Sequence, residues 1–300
     1  MARGCNQSFE ELPSIDQQLT FSKLSIELIR VLGIEQLNRD ILKTLELYSD
    51  QNGFNNAAAL LADTNSFKGI DIIRFGNSIN EIMERKSLEN ISILLQMEQC
   101  IQMFHQYYRY EKIEGMDRKS VDKIPERAFR EAVANALVHR MWDIPASIKI
   151  SMYSDKIEIS SPGGLPAGIS EDEYLNGQIS LLRNPIIGNV FFRLKYIEKF
   201  GTGIMRINYA YKDALIKPDY HIFSNSIQII LPVIKSDYKL NETEKKLLNI
   251  LKINGSMTRN EIEKAAEIDK SKAIRGLNRL IEKKMIQKRD LGRGTKYEIV

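Results

Sequence analysis

A mixed α/β domain, led by a mostly helical segment and followed by a small basic three-helix module, is the fold class this sequence predicts. Three observations carry it. Residues 147–153 and 156–160 alternate apolar and polar side chains on either side of Ser154 and Asp155, the pattern of adjacent antiparallel strands. Segments with helical apolar spacing precede and follow these strands in the chain. The charge is uneven as well. The 300 residues carry a net +4, but residues 241–300 hold 15 Lys/Arg against 9 Asp/Glu, a local +6 that leaves the rest of the chain slightly acidic. Such asymmetry marks a nucleic-acid-binding end, or more simply a solvated basic face.

Composition narrows the functional classes. With 43% hydrophobic and 27% charged residues, the chain is neither collagen-like, mostly disordered nor coiled-coil. No apolar run approaches the ~20 residues needed to span a bilayer. The first residues contain no apolar leader stretch, so a reduced, cytoplasmic location without membrane contact is expected. Two cysteines (Cys5, Cys100) and three histidines cannot build a disulfide framework or a four-ligand zinc site.

Along the chain, residues 21–30 and 37–47 carry helical spacing, Asn52 and Gly53 mark a turn, and residues 70–75 read as a strand. Residues 88–108 read as one long helix. Its aromatic end (Phe104, Tyr107, Tyr108) and Tyr110 just beyond suit core packing or a contact with a second copy. Pro125 sits at a natural helix start, and the helix it opens runs to about His139 or Arg140. A glycine-rich loop follows the strand pair, then a helix near residues 186–194, another opened by Gly201-Thr202-Gly203, and a closing strand at residues 226–233.

Three places could carry chemistry. Glu131, Asn135 and His139 are spaced i, i+4, i+8, along one stripe of a helix. This is either the solvated face of an amphipathic helix or a carboxylate and amide poised for water and Mg²⁺, with small neighbours admitting a ligand. Gly163 and Gly164, between Pro162 and Pro166, let a backbone approach a ligand, though a plain tight turn would use the same residues. The Gly201-Thr202-Gly203 turn presents unpaired N–H groups and a helix-dipole positive end to an anion, unless Thr202 simply caps the helix. No G-x-x-x-x-G-K-[ST] motif is present, which excludes a P-loop motor.

The order of these parts resembles the ATPase domain of the gyrase and histidine-kinase superfamily, the GHKL or Bergerat fold. Residues 125–140, 162–166, 183–185 and 197–207 are most similar to a branch described as a putative ATP-dependent helicase C-terminal domain. That branch typically accompanies a Schlafen/Alba-type DNA-binding domain in transcriptional regulators. The resemblance spans roughly residues 50–235. It implies a GHKL-like α/β sandwich that binds ATP and Mg²⁺. Glu131 would be the water-activating carboxylate and Asn135 the Mg²⁺ ligand, with His139 beside them. Gly163 and Gly164 would form the first glycine box, and Gly201, Thr202 and Gly203 the second. The superfamily's adenine-reading Asp falls near Ser160 or Ser161, and Ser161 is taken as its counterpart. A hydroxyl there carries no charge and implies weaker binding. Residues 8–13 and 55–61 resemble segments that follow or close the Alba-type domain, so the expected division is a connecting remnant at 1–78, the ATP-binding domain at 79–235 and the C-terminal module at 236–300.

That last module reads without any resemblance. Asn241 caps a helix ending at Asn254 and Gly255, Thr258 caps a second, and Asp269 or Ser271 begins a third. Two short strands then flank Gly292 and Gly294. Three helices and a basic hairpin make a winged helix-turn-helix. Lys270, Ser271, Lys272, Arg275 and Asn278 on the third helix, with Arg293 at the wing tip, are the expected contacts to double-stranded DNA. Taken together, the sequence predicts a DNA-binding transcriptional regulator with a nucleotide-binding domain, acting as a homodimer. The rival readings are an ATP hydrolase that remodels DNA and a scaffold that binds no nucleotide.

Overall fold

The computed structural model of the chain describes all residues except 1–7, 116, 167, 178–180, 199–200, 215, 235–239, 284, 291–293 and 300. The chain divides into two compact units, Met1–Ile234 and Lys235–Val300.

The first unit begins with a 3-10 turn, Phe9–Glu11, then α1 (Ser22–Leu32), α2 (Arg39–Thr44), the short pair β1 (Tyr48–Ser49) and β2 (Gly53–Phe54), and α3 (Asn56–Leu61). β3 (Ile70–Phe75), β4 (Ile82–Leu88), α4 (Ile93–Tyr108), a hairpin of β5 (Arg109–Glu114) and β6 (Asp117–Asp122), and α5 (Glu126–Val138) follow. The chain continues with β7 (Ile148–Met152), β8 (Lys156–Pro162), α6 (Glu171–Leu175), α7 (Pro185–Arg193), α8 (Gly203–Ala210), β9 (Asp219–Phe223) and β10 (Ser226–Pro232). The central sheet has the order β4-β3-β7-β8-β10-β9. Only the β3–β7 pair is parallel among these neighbours, with Ile70 opposite Ile148.

Alternation explains the layering. On β7, β8 and β10 every second residue is buried (Ile148, Ile150, Met152; Ile157, Ile159; Ile229, Leu231), giving the sheet one apolar face. α4 and α5 bring Met97, Phe104, Phe129, Val133 and Leu137 to the same core. Phe104 and Phe129 stack with centroids 4.6 Å apart. The fold is the expected GHKL-like α/β sandwich with a helical lead-in.

Several expectations are corrected. The helix expected from residue 88 starts at Ile93. Residues 82–88 instead form β4, an edge strand, and the chain turns at Asn90 in the left-handed region (φ 61°) before Ser92 caps α4. The apolar stripe of α4 (Ile93, Leu94, Met97, Cys100, Phe104, Tyr108) is buried in this unit's own core, so it offers no surface to a second copy. The boundary expected at 78/79 falls inside the sheet, because β3, before it, is hydrogen-bonded to β7, after it. Residues 8–13 and 55–61 are part of this unit too, joined by a bridge between Pro13 and Asn55. Among the described residues no helix is long and apolar enough to cross a membrane.

The second unit holds α9 (Glu242–Asn254), β11 (Met257–Thr258), α10 (Arg259–Ala266), α11 (Lys270–Glu282), β12 (Ile286–Asp290) and β13 (Thr295–Ile299), with strand order β11-β13-β12. Asn241, Thr258 and Asp269 accept from the backbone N–H groups of Glu244, Glu261 and Lys272, so each helix starts where its cap residue stands. Leu247, Leu251, Ile262, Leu277, Leu280 and Ile286 form the core. A Cβ at Gly276 would lie 2.5 Å from Leu247 Cδ1, so glycine there lets α11 press onto α9. The unit is a winged helix.

Candidate nucleotide cleft and nucleic-acid face

α5 is the spine of the site. Its stripe of Glu131, Asn135 and His139 lines a cleft of about 760 Å³, open mouth included, together with Gly164, Gly201 and Gly203. A smaller recess of about 320 Å³ shares Asn135 and His139 and adds Ser161 and Gly163. One place therefore gathers residues from three separated stretches of chain. Thr202, at the N-cap of α8, is not among the lining residues.

The stripe is not a solvated face: Glu131 is only 6% exposed. Burial raises its pKa, opposed by the positive charges of Arg206 and Arg127 and reinforced by Glu198. No other described residue makes a hydrogen bond or salt bridge to the Glu131 carboxylate or the Asn135 amide. A buried carboxylate left in this state suits a base that acts on water.

Glycines set the close approaches. A Cβ at Gly203 would stand 2.6 Å from Asn135 Nδ2 and 2.9 Å from Glu131 Oε1, so a side chain there would push the ends of Asn135 and Glu131 aside. Thr202 makes no capping hydrogen bond, and among the described residues no side chain accepts from the first N–H groups of α8. The alternative of an ordinary Thr-capped start is thus not what the geometry has. Gly163 has φ 110°, and a Cβ there would lie 2.1 Å from Arg183 Nη1.

The end of α5 is held by residues that sequence reasoning did not single out for the site. Arg183 donates from Nη1 to His139 O (3.0 Å) and from Nη2 to Gly164 O (2.6 Å). Asn184 Nδ2 donates to Val138 O (2.7 Å) and Arg140 O (2.8 Å). Ser161 Oγ donates to Ala136 O (2.8 Å). Together they pair the carbonyls of Ala136, Val138, His139 and Arg140 at the helix end, and they fasten the glycine loop to α5. The signal available for Arg183 and Asn184 was their place in the 183–185 stretch of the resemblance, which says nothing of a partner 44 residues away. Burial and the neighbouring Arg183 push the His139 imidazole down to about 4, so it is neutral near pH 7.

Between Ser160 and Ser161 the geometry decides. Ser161 lines the recess, whereas Ser160 lies on the opposite face of β8 and accepts from Gln228 Nε2 (3.3 Å). Ser161 commits its proton to α5, so only its oxygen lone pairs remain for a ligand.

The residues fit a Mg²⁺-nucleotide. Among the described residues no group of three His, Cys, Asp or Glu could hold a metal alone. Magnesium is commonly bound by one or two protein oxygens plus substrate phosphates, and Asn135 offers such an oxygen beside the open end of α8.

In the second unit Lys270, Ser271, Lys272, Arg275 and Asn278 are all exposed on α11, while Ala273, Leu277 and Leu280 face inward. Lys288 and Arg289 of β12 are exposed on the wing. Arg293 lies outside the described residues.

Fold and site define a class, a GHKL-like α/β domain followed in the chain by a winged helix. Residues 146–231 match the family described as putative ATP-dependent DNA helicase recG C-terminal, and residues 234–300 match the sugar-specific transcriptional regulator TrmB family. The chain thus carries a domain similar to each, in that order. The first match begins after α5, so it includes the glycine loop and α8 but neither Glu131 nor Asn135. A crystal structure of the DIP2311 protein from Corynebacterium diphtheriae is similar in fold, with a TM-score of 0.66 at 17% identity over 99% of this chain. This chain spans 65% of that protein's length. No curated protein matches.

Proposed function

We propose that the protein is a DNA-binding transcriptional regulator whose α/β domain binds Mg²⁺-ATP. The observation that carries this reading is the convergence of Glu131, Asn135, Gly164, Gly201 and Gly203 on one cleft. Asn135 would offer its amide oxygen to Mg²⁺, which neutralises phosphate charge when bound. The uncapped start of α8 offers N–H groups to phosphate, and the loop at Gly163 and Gly164 admits the rest of the ligand. The regulatory half of the reading rests on the TrmB-type match and the exposed basic face of α11. Winged helices commonly read two half-sites, so a homodimer on duplex DNA fits this arrangement, through a surface other than the α4 stripe.

A second reading, an ATP hydrolase, is supported by one observation: Glu131 is buried, raised in pKa and free of hydrogen-bonded partners among the described residues. Steady-state phosphate release by the full chain separates the two. If it hydrolyses ATP, Glu131→Gln should keep Mg²⁺-ATP binding and lose turnover by about 10²-fold or more, since the carboxylate acts only on water. Unchanged turnover in that variant would reject Glu131 as the base.

A further inference from the structure

Glu10 is a buried carboxylate outside the cleft lining. It is wholly buried, 176 residues in sequence from its partners, and no salt bridge to it is present among the described residues. Its Oε1 accepts from Ile186 N (2.6 Å) and its Oε2 from Ile187 N (3.0 Å). The carboxylate therefore sits on the first turn of α7, where the helix dipole favours negative charge. Burying a charge without a cation is expensive, so the contact is a demanding way to cap one helix.

What precedes that turn gives the contact its meaning. Arg183 and Asn184 stand immediately before Pro185, and they fasten the glycine loop and the end of α5. The residue before Glu10 reaches the other side of the same frame. Phe9 packs edge-on against Phe67 (5.7 Å), Phe67 against Trp142 (6.4 Å), and the Arg140 guanidinium lies over Trp142 (4.1 Å). Arg140 directly follows His139. The segment is itself anchored: Asn56 donates from its backbone N–H to Leu12 O (2.9 Å) and from Nδ2 to Phe9 O (3.0 Å). Glu10 thus holds the start of α7, and Phe9 leads through Phe67 and Trp142 to Arg140 just beyond the end of α5.

We propose that Phe9 and Glu10 form a positioning strap, which holds α7, and through it Arg183 and Asn184, in the register that docks the glycine loop on α5. Displacing residues 8–13 then opens the cleft and weakens ligand binding, and by linkage a bound ligand tightens the strap. The ligand half of this inference rests on the reading of the cleft as a nucleotide site; the coupling between strap and loop does not.

The molecule supplies its own control. Asp63 accepts from Ser22 N (2.8 Å) and Lys23 N (3.0 Å), the same two-bond grip on a helix start, but on α1, which contributes nothing to the cleft. Amide hydrogen exchange on the full chain without ligand compares Glu10→Gln with Asp63→Asn. In each variant an NH₂ group replaces one carboxylate acceptor. Glu10→Gln should speed exchange about fivefold or more both at residues 186–188 and in the glycine loop at 163–165, with residues 70–75 and 148–152 unchanged. Asp63→Asn should loosen only the start of α1. Titration with Mg²⁺-ATP should then show about tenfold weaker binding in Glu10→Gln and wild-type binding in Asp63→Asn. Faster exchange confined to residues 186–188, or equal loosening of the glycine loop by both variants, would overturn the strap. Should Glu10→Gln fail to fold, Phe9→Leu, which keeps the apolar contact and removes the ring edge, should give the same pattern at smaller amplitude, and a silent glycine loop there would overturn it as well. A wild type that binds no Mg²⁺-ATP would sink the nucleotide reading, while the exchange data would still decide the strap.

Discussion

The two compact units handle polar residues in opposite ways. In the first, the groups that matter are buried: Glu10 and Arg140 are almost inaccessible, Glu131 nearly so, and His139 is held neutral. In the second, the basic residues of α11 stand in solvent, and the buried carboxylate Glu244 is matched by Lys283 at 2.8 Å. Buried groups act at short range and demand a ligand of one geometry. Exposed cations act over about a Debye length on any polyanion, and salt weakens them. The difference teaches that one chain can carry two recognition chemistries, and each fails under a different perturbation.

The largest effect should come from the exposed face. Lys272→Ala combined with Arg275→Ala should weaken duplex DNA binding by about 10- to 100-fold near physiological salt and lower the log–log salt slope by about 2. Fluorescence anisotropy across a salt series checks this. An unchanged slope would remove α11 from the interface. Mg²⁺-ATP binding should not respond, because neither residue lies in the cleft-bearing unit.

The buried site is probed next by its glycines. Gly203→Ala should lower Mg²⁺-ATP affinity about tenfold with little change in thermal stability, because the new Cβ meets only the ends of Asn135 and Glu131. Gly164→Ala is the contrasting change. Its Cβ would lie 2.2 Å from the Ser224 carbonyl, a backbone atom, so it should destabilise the fold by about 1–3 kcal/mol. Calorimetric titration and thermal unfolding of both variants separate a site effect from a fold effect.

The smallest effect is a slope. Burial raises the Glu10 pKa from 4.5 to about 7. Between those values the folded state holds the proton more than the unfolded state does, so Glu10's contribution falls as pH rises through the window, by about 1 kcal/mol per pH unit. His139, lowered to about 4, works in the opposite direction between about 4 and 6.5. The difference between wild type and Glu10→Gln in urea unfolding at pH 5 and pH 7 isolates the first slope. No difference between the two pH values would contradict the buried, raised carboxyl.

Legibility also differed between the units. The winged helix could be read almost in full, because Asn241, Thr258 and Asp269 are local caps whose partners lie three residues away. In the first unit β7, β8 and α5 showed in their periodicity and in Pro125. β4 did not: Glu84, Arg85, Lys86 and Ser87 make a polar edge strand, and alternation is silent where both faces meet solvent or charge. The β5–β6 hairpin was hidden for the same reason. The stripe of Glu131 and Asn135 was legible as a stripe, but its burial depends on α8 arriving at Gly203, a contact that no local pattern encodes. Arg183 and Glu10 were invisible as functional groups because their partners are 19 to 177 residues distant.

The most direct test of the account is isothermal titration of the full chain with ATP in the presence and absence of Mg²⁺, on the wild type and on Asn135→Ala. With Ser161 in place of a charged reader of the base, wild-type binding should require Mg²⁺ and give a Kd in the range of about micromolar to millimolar, and Asn135→Ala should abolish the Mg²⁺-dependent part with the fold intact. Wild-type protein showing neither heat nor thermal stabilisation at millimolar Mg²⁺-ATP would contradict it and leave the cleft without a nucleotide.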